Sequence, residues 1–398
     1  MQCLGYNAPP SAANIRRQKK MPEEAMQRTK PPFRADHVGS LLRPPALKAA
    51  REQRERGEIT PAQLKAVEDQ EIKRAIRKQE DIGISAVTDG EFRRAYWHFD
   101  FLEHLTGCEG YWMEPQASDP RQSFKGAALK PWMVRVIGKL DFPATHPHIE
   151  HFKFLKANTS KTPKAMIPSA SMLNYRGGRK VVSEKVYPNL DNYYADLAQT
   201  YGKAIKTFYD AGCRYVQIDD VAFAYFCDND QRQMLRDRGD DPDRQFDRYR
   251  EVFNTALRAK PADMVITTHL CRGNFRSTFV GSGGYQPIAD KLFNDLAVDG
   301  YFLEWDTERA GGLEPLRSLP KGDKIVVLGL VTSKTGKLED KGAIERRIEE
   351  ASKFAPLDQL CLSPQCGFAS TEEGNTLSED EQWAKLARVV EIAKEVWG

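Results

Sequence analysis

Along the chain, short apolar runs rich in β-branched residues alternate with longer stretches whose apolar positions recur at helical spacing. The runs cover residues 35–40, 85–90, 164–170, 214–220, 264–269, 301–306, 324–331 and 359–365. They are continuous rather than alternating, as expected of parallel strands buried on both faces. Helix signals lie between them. Thr60 and Pro61 read as an N-cap followed by proline at the first helical position, and the pattern runs to Ile82 with Gly83 as the stop. Residues 190–211 end at Gly212, and 343–354 and 379–397 carry the same spacing. Eight strand–helix units predict an α/β fold closed as a (β/α)8 TIM barrel. The rival is an open doubly wound sheet, but no G-x-G-x-x-G follows the first strand.

Residues 106–147 break this rhythm. They hold Trp112, Pro115, Pro120 and Pro131 and a strand-like stretch at 132–140. We expect an insertion between strands 2 and 3, a hairpin over the barrel mouth. The tryptophan-rich segments are expected to pack in the core. Residues 228–247 are strongly acidic without matching an EF-hand loop, and are expected to be a solvated loop. Residues 1–30 lack the apolar region of a secretory signal and are expected to form a disordered tail, with Met21 as an alternative start. Residues 31–398 are then one catalytic barrel.

Charge narrows the partners. The 398 residues include 59 basic and 56 acidic side chains, a net charge of +3, so there is no electrostatic case for nucleic acid or a membrane surface. No run approaches the ~18 apolar residues of a spanning helix. Seven cysteines are too sparse, and odd in number, for a disulfide scaffold. The expectation is a cytoplasmic protein with free thiols and small-molecule partners, with a homo-oligomer left open.

In a barrel, function belongs at the C-terminal ends of the strands. Those ends carry His37 and Ser40, Glu91, Asp219, His269 and Cys271, Glu304, and Cys366. The spacing of His269 and Cys271 puts both side chains on one face of an extended chain. With Cys366 and Glu304 they offer nitrogen, two sulfurs and oxygen, a set that suits Zn2+ better than magnesium or calcium. Zinc with two thiolates suits alkyl transfer. A substrate thiol entering the coordination sphere becomes the thiolate that attacks carbon, and Glu304 is the ligand that yields to it. A zinc hydrolase would use the same ligand types.

The sequence resembles the cobalamin-independent methionine synthase family, in its C-terminal catalytic barrel. The matching stretches are Val38-Gly39-Ser40, Gly90-Glu91-Phe92, Gln217-Ile218-Asp219, Thr268-His269-Leu270-Cys271, Glu304, and Ser363-Pro364-Gln365-Cys366-Gly367. The resemblance implies that His269, Cys271, Glu304 and Cys366 bind zinc. It implies that Ser40, Glu91 and Asp219 hold the amino-acid part of homocysteine, where two carboxylates take an ammonium. Glu91 could equally pair with Arg93 or Arg94. The donor side departs from the family. Its Leu-Asn-Trp, whose tryptophan supports a pterin, is Leu173-Asn174-Tyr175 here, and Lys334 stands near the place of a histidine that protonates the departing folate. Tyr175 is therefore the expected stacking residue, and Lys334 the expected acid or anion-binding cation. His37 is a further candidate acid or donor contact beside Ser40, with a structural role as its alternative, and Tyr96-Trp97-His98 could also reach the mouth. Arg272 and Arg276 are expected to bind substrate anions or to pair with Asp306 and Glu308. The resemblance thus implies methyl transfer to a small thiol, most simply homocysteine to methionine. The donor is left among methyltetrahydrofolate, a corrinoid methyl group and an epoxide-like electrophile. A metal-free porphyrinogen decarboxylase-like barrel and a non-catalytic zinc-binding barrel are the alternatives from other classes.

Overall fold

A computed structural model describes residues 28–113, 120–124 and 132–398. The strands are β1 (Ala86–Val87), β2 (Thr106–Trp112), β3 (Trp132–Asp141), β4 (Thr162–Pro168), β5 (Tyr215–Asp219), β6 (Val265–Leu270), β7 (Gly300–Glu304), β8 (Ile325–Val331) and β9 (Leu360–Pro364). Seven of them form a parallel sheet in the order β1-β4-β5-β6-β7-β8-β9. Every residue of β5, β7, β8 and β9 is buried, which is why their sequences run apolar without alternation.

The first apolar run supplies the eighth stave as extended chain. Ala35 bridges Leu362 of β9 in parallel. Asp36 donates its N–H to Leu362 O at 3.1 Å, and Leu362 donates to Arg34 O at 2.9 Å. On the other flank, Thr88 Oγ1 donates to Gly39 O at 2.7 Å. Gly39 has φ +131°, outside the strand region, and an added Cβ would meet the Met166 side chain at 2.8 Å. The stave bends away there, so side-chain ties replace a ladder. Inside the ring, Lys164 of β4 pairs with Asp36 at 3.1 Å with neither side chain exposed. Tyr215 of β5 donates its hydroxyl to the same carboxylate at 3.0 Å.

The helices start where their caps predict. Pro61–Asp81 opens on a capping box between Thr60 and Gln63, and Glu379–Trp397 on one between Ser378 and Glu381. The acidic stretch 228–247 corrects its expectation. It starts two helices, Asn229–Asp237 and Pro242–Leu257, with Asp228 and Asp241 accepting from the exposed N–H groups at their first turns. Their inner faces bury Met234, Leu235 and Phe246. Asp228 and Asp241 are helix caps.

The insertion stands between the second and third staves as predicted. Strands β2 and β3 pair antiparallel, tied down by Trp132 Nε1 donating to Glu103 at 3.1 Å and by Tyr187 Oη accepting from Leu140 N–H at 2.9 Å. Pro115 and Pro131, and the expected tail up to residue 27, lie outside the described residues. Among those described, no helix is long and apolar enough to cross a membrane.

Candidate active site

Parallel register brings the predicted side chains to one end of the barrel. Asp219 ends β5 opposite His269 of β6, and His269 lies opposite Phe302 of β7. Cys271 follows β6 by one residue, Glu304 ends β7, and Cys366 lies two residues past β9. Ligand atoms of His269, Cys271 and Cys366 all lie within 4.8 Å of one another, and all three residues are buried. His269 Nδ1 is 3.3 Å from Phe302 O. That contact makes Nδ1 the protonated nitrogen and turns the Nε2 lone pair toward the sulfurs. Nε2 is buried with no partner of hydrogen-bonding geometry. A metal ion would complete it. One nitrogen and two sulfurs form the soft donor set that zinc takes, and three protein ligands leave a fourth position open. The Cys366 thiol is drawn well below its ordinary range by the hydrogen bond from Cys271 and by His269. Cys271 is pushed up by the same partner and by burial.

Glu304 lies beside this cluster rather than within it. Its carboxylate is fully buried, with Oε2 accepting from Arg272 N–H at 2.7 Å and Oε1 from Arg309. Burial works against its charge, but Lys334, Arg309 and Arg272 outweigh burial and hold it ionised. It is thus a negative charge beside these three side chains.

The cluster opens on a cavity of about 1030 Å³. Ser40, Glu91 and Asp219 line it together with His269, Cys271 and Cys366, as the strand-end reading predicted. Glu91 sits at φ +60°, a left-handed conformation that costs a non-glycine residue about 1 kcal/mol. One carboxylate oxygen accepts from Arg94 at 3.0 Å, and the other is buried without a partner. Arg93 instead pairs with Glu68 and Asp69. Burial raises Glu91 to about 7 against the pull of Arg94 and Arg43. Burial likewise raises Asp219 to about 6, although His269 and Gln217 oppose it. Two carboxyls poised near neutrality, one with an unused oxygen, suit an incoming ammonium.

Four predicted residues stand elsewhere. Tyr175 is fully buried behind the wall, packed on Tyr225 at 5.5 Å and donating its hydroxyl to Gln231 at 3.3 Å. Tyr225 is the ring that lines the cavity. Arg272 is also fully buried. Its guanidinium donates to Gly283 O at 2.8 Å and Tyr285 Oη at 3.0 Å, so it braces Glu304 rather than meeting substrate. Arg309, not Arg272 or Arg276, approaches Asp306, at 4.0 Å. Lys334 spends its ammonium on Gly273 O at 3.3 Å and Asn274 Oδ1 at 3.4 Å, outside the cavity wall. His37 is buried with Nε2 3.1 Å from Ala86 O, and burial depresses it to about 4. It is a neutral structural histidine, the alternative the sequence left open.

Tyr96, Trp97 and His98 line the cavity, in line with the sequence reading that they could reach the mouth, and so do Trp112 and Trp132, which that reading places in the core; Trp112 is 64% exposed. Arg176 and Lys180 add positive charge to the wall. The hairpin prediction contained the signal: an inserted ribbon over the mouth must turn one face of its aromatics toward the opening.

Residues 33–395 match the family described as "Cobalamin-independent synthase, Catalytic domain". Protein YxjG of Bacillus subtilis, itself uncharacterised, is 48% identical over 94% of this chain and 97% of its own length. A crystal structure described as the putative vitamin-B12 independent methionine synthase from Listeria monocytogenes superposes with a TM-score of 0.73. It is 44% identical and covers 92% of this chain and 98% of that one. A 5-methyltetrahydropteroyltriglutamate–homocysteine methyltransferase from Bacillus velezensis is 25% identical over 90% of this chain, which spans 42% of that enzyme's length.

Proposed function

The chain belongs to the family of cobalamin-independent synthase catalytic domains, and on that premise we propose that it transfers a methyl or alkyl group to homocysteine or a closely similar thiol at a zinc ion. The observation that carries this reading is that His269, Cys271 and Cys366 open on the same cavity as Ser40, Glu91 and Asp219. His269, Cys271 and Cys366 would hold the zinc, with Glu304 beside them as the exchangeable ligand or fixed anion. Bound zinc supplies a lowered thiol pKa, so that the acceptor is a thiolate at neutral pH.

The chain's own residues do the rest. The free oxygen of Glu91 and the Asp219 carboxylate receive the substrate ammonium. The Ser40 hydroxyl is placed for the amino-acid end of the substrate. Lys334, Arg309 and Arg272 keep Glu304 ionised. The volume left over, walled by aromatics of the hairpin, takes the donor. Methyltetrahydrofolate is the first candidate, supported by the name of the Bacillus velezensis relative, with a corrinoid methyl group or an epoxide-like electrophile as the others. Isotope-labelled methyl transfer to homocysteine from each donor tests the reaction. Cys366→Ser should lose zinc and transfer activity while keeping the fold; full activity in that variant would overturn the reading.

A further inference from the structure

Arg43 is a buried cation that the chemistry above does not use. It follows the first stave, is only 3% exposed and stands behind the cavity wall. Every acceptor it meets is a main-chain carbonyl. Nη1 donates to Leu41 O at 2.9 Å, to Ala369 O at 3.0 Å and, at longer range, to Gly90 O at 3.4 Å. Nη2 donates to Arg94 O at 3.0 Å, and Nε is buried without a partner. A guanidinium taken out of water with no carboxylate against it is costly, and carbonyl dipoles offset only part of that cost.

The four carbonyls lie on three loops. Leu41 follows Ser40. Gly90 precedes Glu91, and Arg94 follows it by three residues. Ala369 lies three residues past Cys366. The same loops are joined by Leu41 N–H donating to Gly90 O at 3.0 Å and by Phe368 N–H donating to Ser40 O at 2.9 Å. One planar fork thus spans the segments that carry Ser40, Glu91 and Cys366. The turn at Gly90-Glu91 needs such support, because both residues are left-handed, at φ +65° and +60°. Arg43 also acts by charge. The charged groups facing Glu91 are Arg94 and Asp89 on its own segment, Arg43, and Asp219 at the end of β5. Burial raises Glu91 most, Arg94 and then Arg43 pull it down, and the two acids add to the rise. Burial in turn lowers Arg43 to about 10, against Glu91 and Asp100 and with Arg51 and Arg94, so it stays protonated at neutral pH.

We propose that Arg43 is a positioning residue for Glu91: it clamps the left-handed turn that places Glu91 in the cavity wall, and its charge keeps that carboxylate available to a substrate ammonium. This rests on Glu91 being the ammonium acceptor, as in the function proposed above.

The test uses the full chain and two variants. Arg43→Met keeps the length and removes the charge. Arg43→Lys keeps the charge and loses the fork. Infrared spectra, taken as differences from Glu91→Gln, follow the Glu91 carboxyl through its titration without any ligand. Its midpoint should rise by about one pH unit in Arg43→Met and stay near the wild-type value in Arg43→Lys. Methionine is the probe for the amino-acid end. It should bind both variants severalfold more weakly than wild type, and in Arg43→Met the fall in affinity toward low pH should begin about one unit higher. An unshifted Glu91 titration in Arg43→Met would overturn the assignment. So would wild-type methionine affinity in Arg43→Lys, which decides the matter even where Arg43→Met does not fold. Wild type that binds no methionine, with a Glu91 titration that still follows Arg43, would contradict the proposed function and support the pairing of Arg43 with Glu91.

Discussion

Glu91 and Asp219 should give up protons when the amino acid binds. The perturbation is the arrival of an ammonium against two carboxyls that burial holds partly neutral, Glu91 near 7 and Asp219 near 6. The charge drives both to the carboxylate form. With those values Glu91 is about half protonated and Asp219 about one-tenth protonated at pH 7, so binding should release about 0.6 proton. The release should rise to about 1.4 at pH 6 and fall to about 0.1 at pH 8. Deprotonating Glu91 one pH unit below its pKa costs about 1.4 kcal/mol, so affinity at pH 6 should be about tenfold weaker than at pH 8 from Glu91 alone. Methionine is the probe of choice, because it has the amino group and no thiol proton to confuse the count. Titration calorimetry in two buffers of different ionisation enthalpy measures the number directly. Glu91→Gln should cut the release at pH 7 to about 0.1, the share left to Asp219. A release that does not change between pH 6 and 8, or one that Glu91→Gln leaves intact, would refute the assignment of Glu91 as the ammonium acceptor.

The same shifts act on stability. Glu91 binds its proton more tightly folded than unfolded, so its contribution is full at low pH and is lost as pH rises from 4.5 through about 7. Denaturant melts should therefore show Glu91→Gln gaining on wild type across that window by up to about 3 kcal/mol. Gly367→Ala would place a Cβ 1.9 Å from the Ser40 hydroxyl. It should cost about 1–3 kcal/mol in a urea melt and raise KM for the thiol more than it lowers kcat. Arg309→Met removes the side-chain cation bonded to Glu304 Oε1 and leaves a buried carboxylate short of a partner. A loss of about 1–3 kcal/mol is expected by thermal or chemical melting, and unchanged stability would mean that Arg309 does not brace Glu304.

The barrel was legible because its strands are buried on both faces and its helices announce their ends. Val326, Val327 and Leu328 in β8 leave little choice but a buried strand, and Thr60-Pro61 fixes a helix start to the residue. The first stave was legible as an apolar run but not as a single bridge, since the chain leaves the strand region at Gly39, with φ +131°. The gathering of the strand-end side chains was legible for a related reason. His269 and Cys271 lie two apart on extended chain, and parallel register delivers Asp219, Glu304 and Cys366 to the same end. The rest of the cavity wall was not. Whether Tyr175 or Tyr225 meets the cavity turns on which ring packs behind the other, and whether Lys334 points inward turns on Gly273 O and Asn274 competing for its ammonium. Those are tertiary contacts with no local signature. The acids of 228–247 misled for the opposite reason: Asp228 and Asp241 do carry a local signal, the helix N-cap, which a reading for charge alone passes over.

The central claim is that a thiol is activated on zinc held by His269, Cys271 and Cys366. Elemental analysis of the purified protein, followed by X-ray absorption at the zinc edge with and without homocysteine, tests it most directly. The account predicts about one zinc per chain in a nitrogen–sulfur shell, with one further sulfur when homocysteine is added. A protein that binds no zinc, or a zinc shell that homocysteine leaves unchanged, would contradict it.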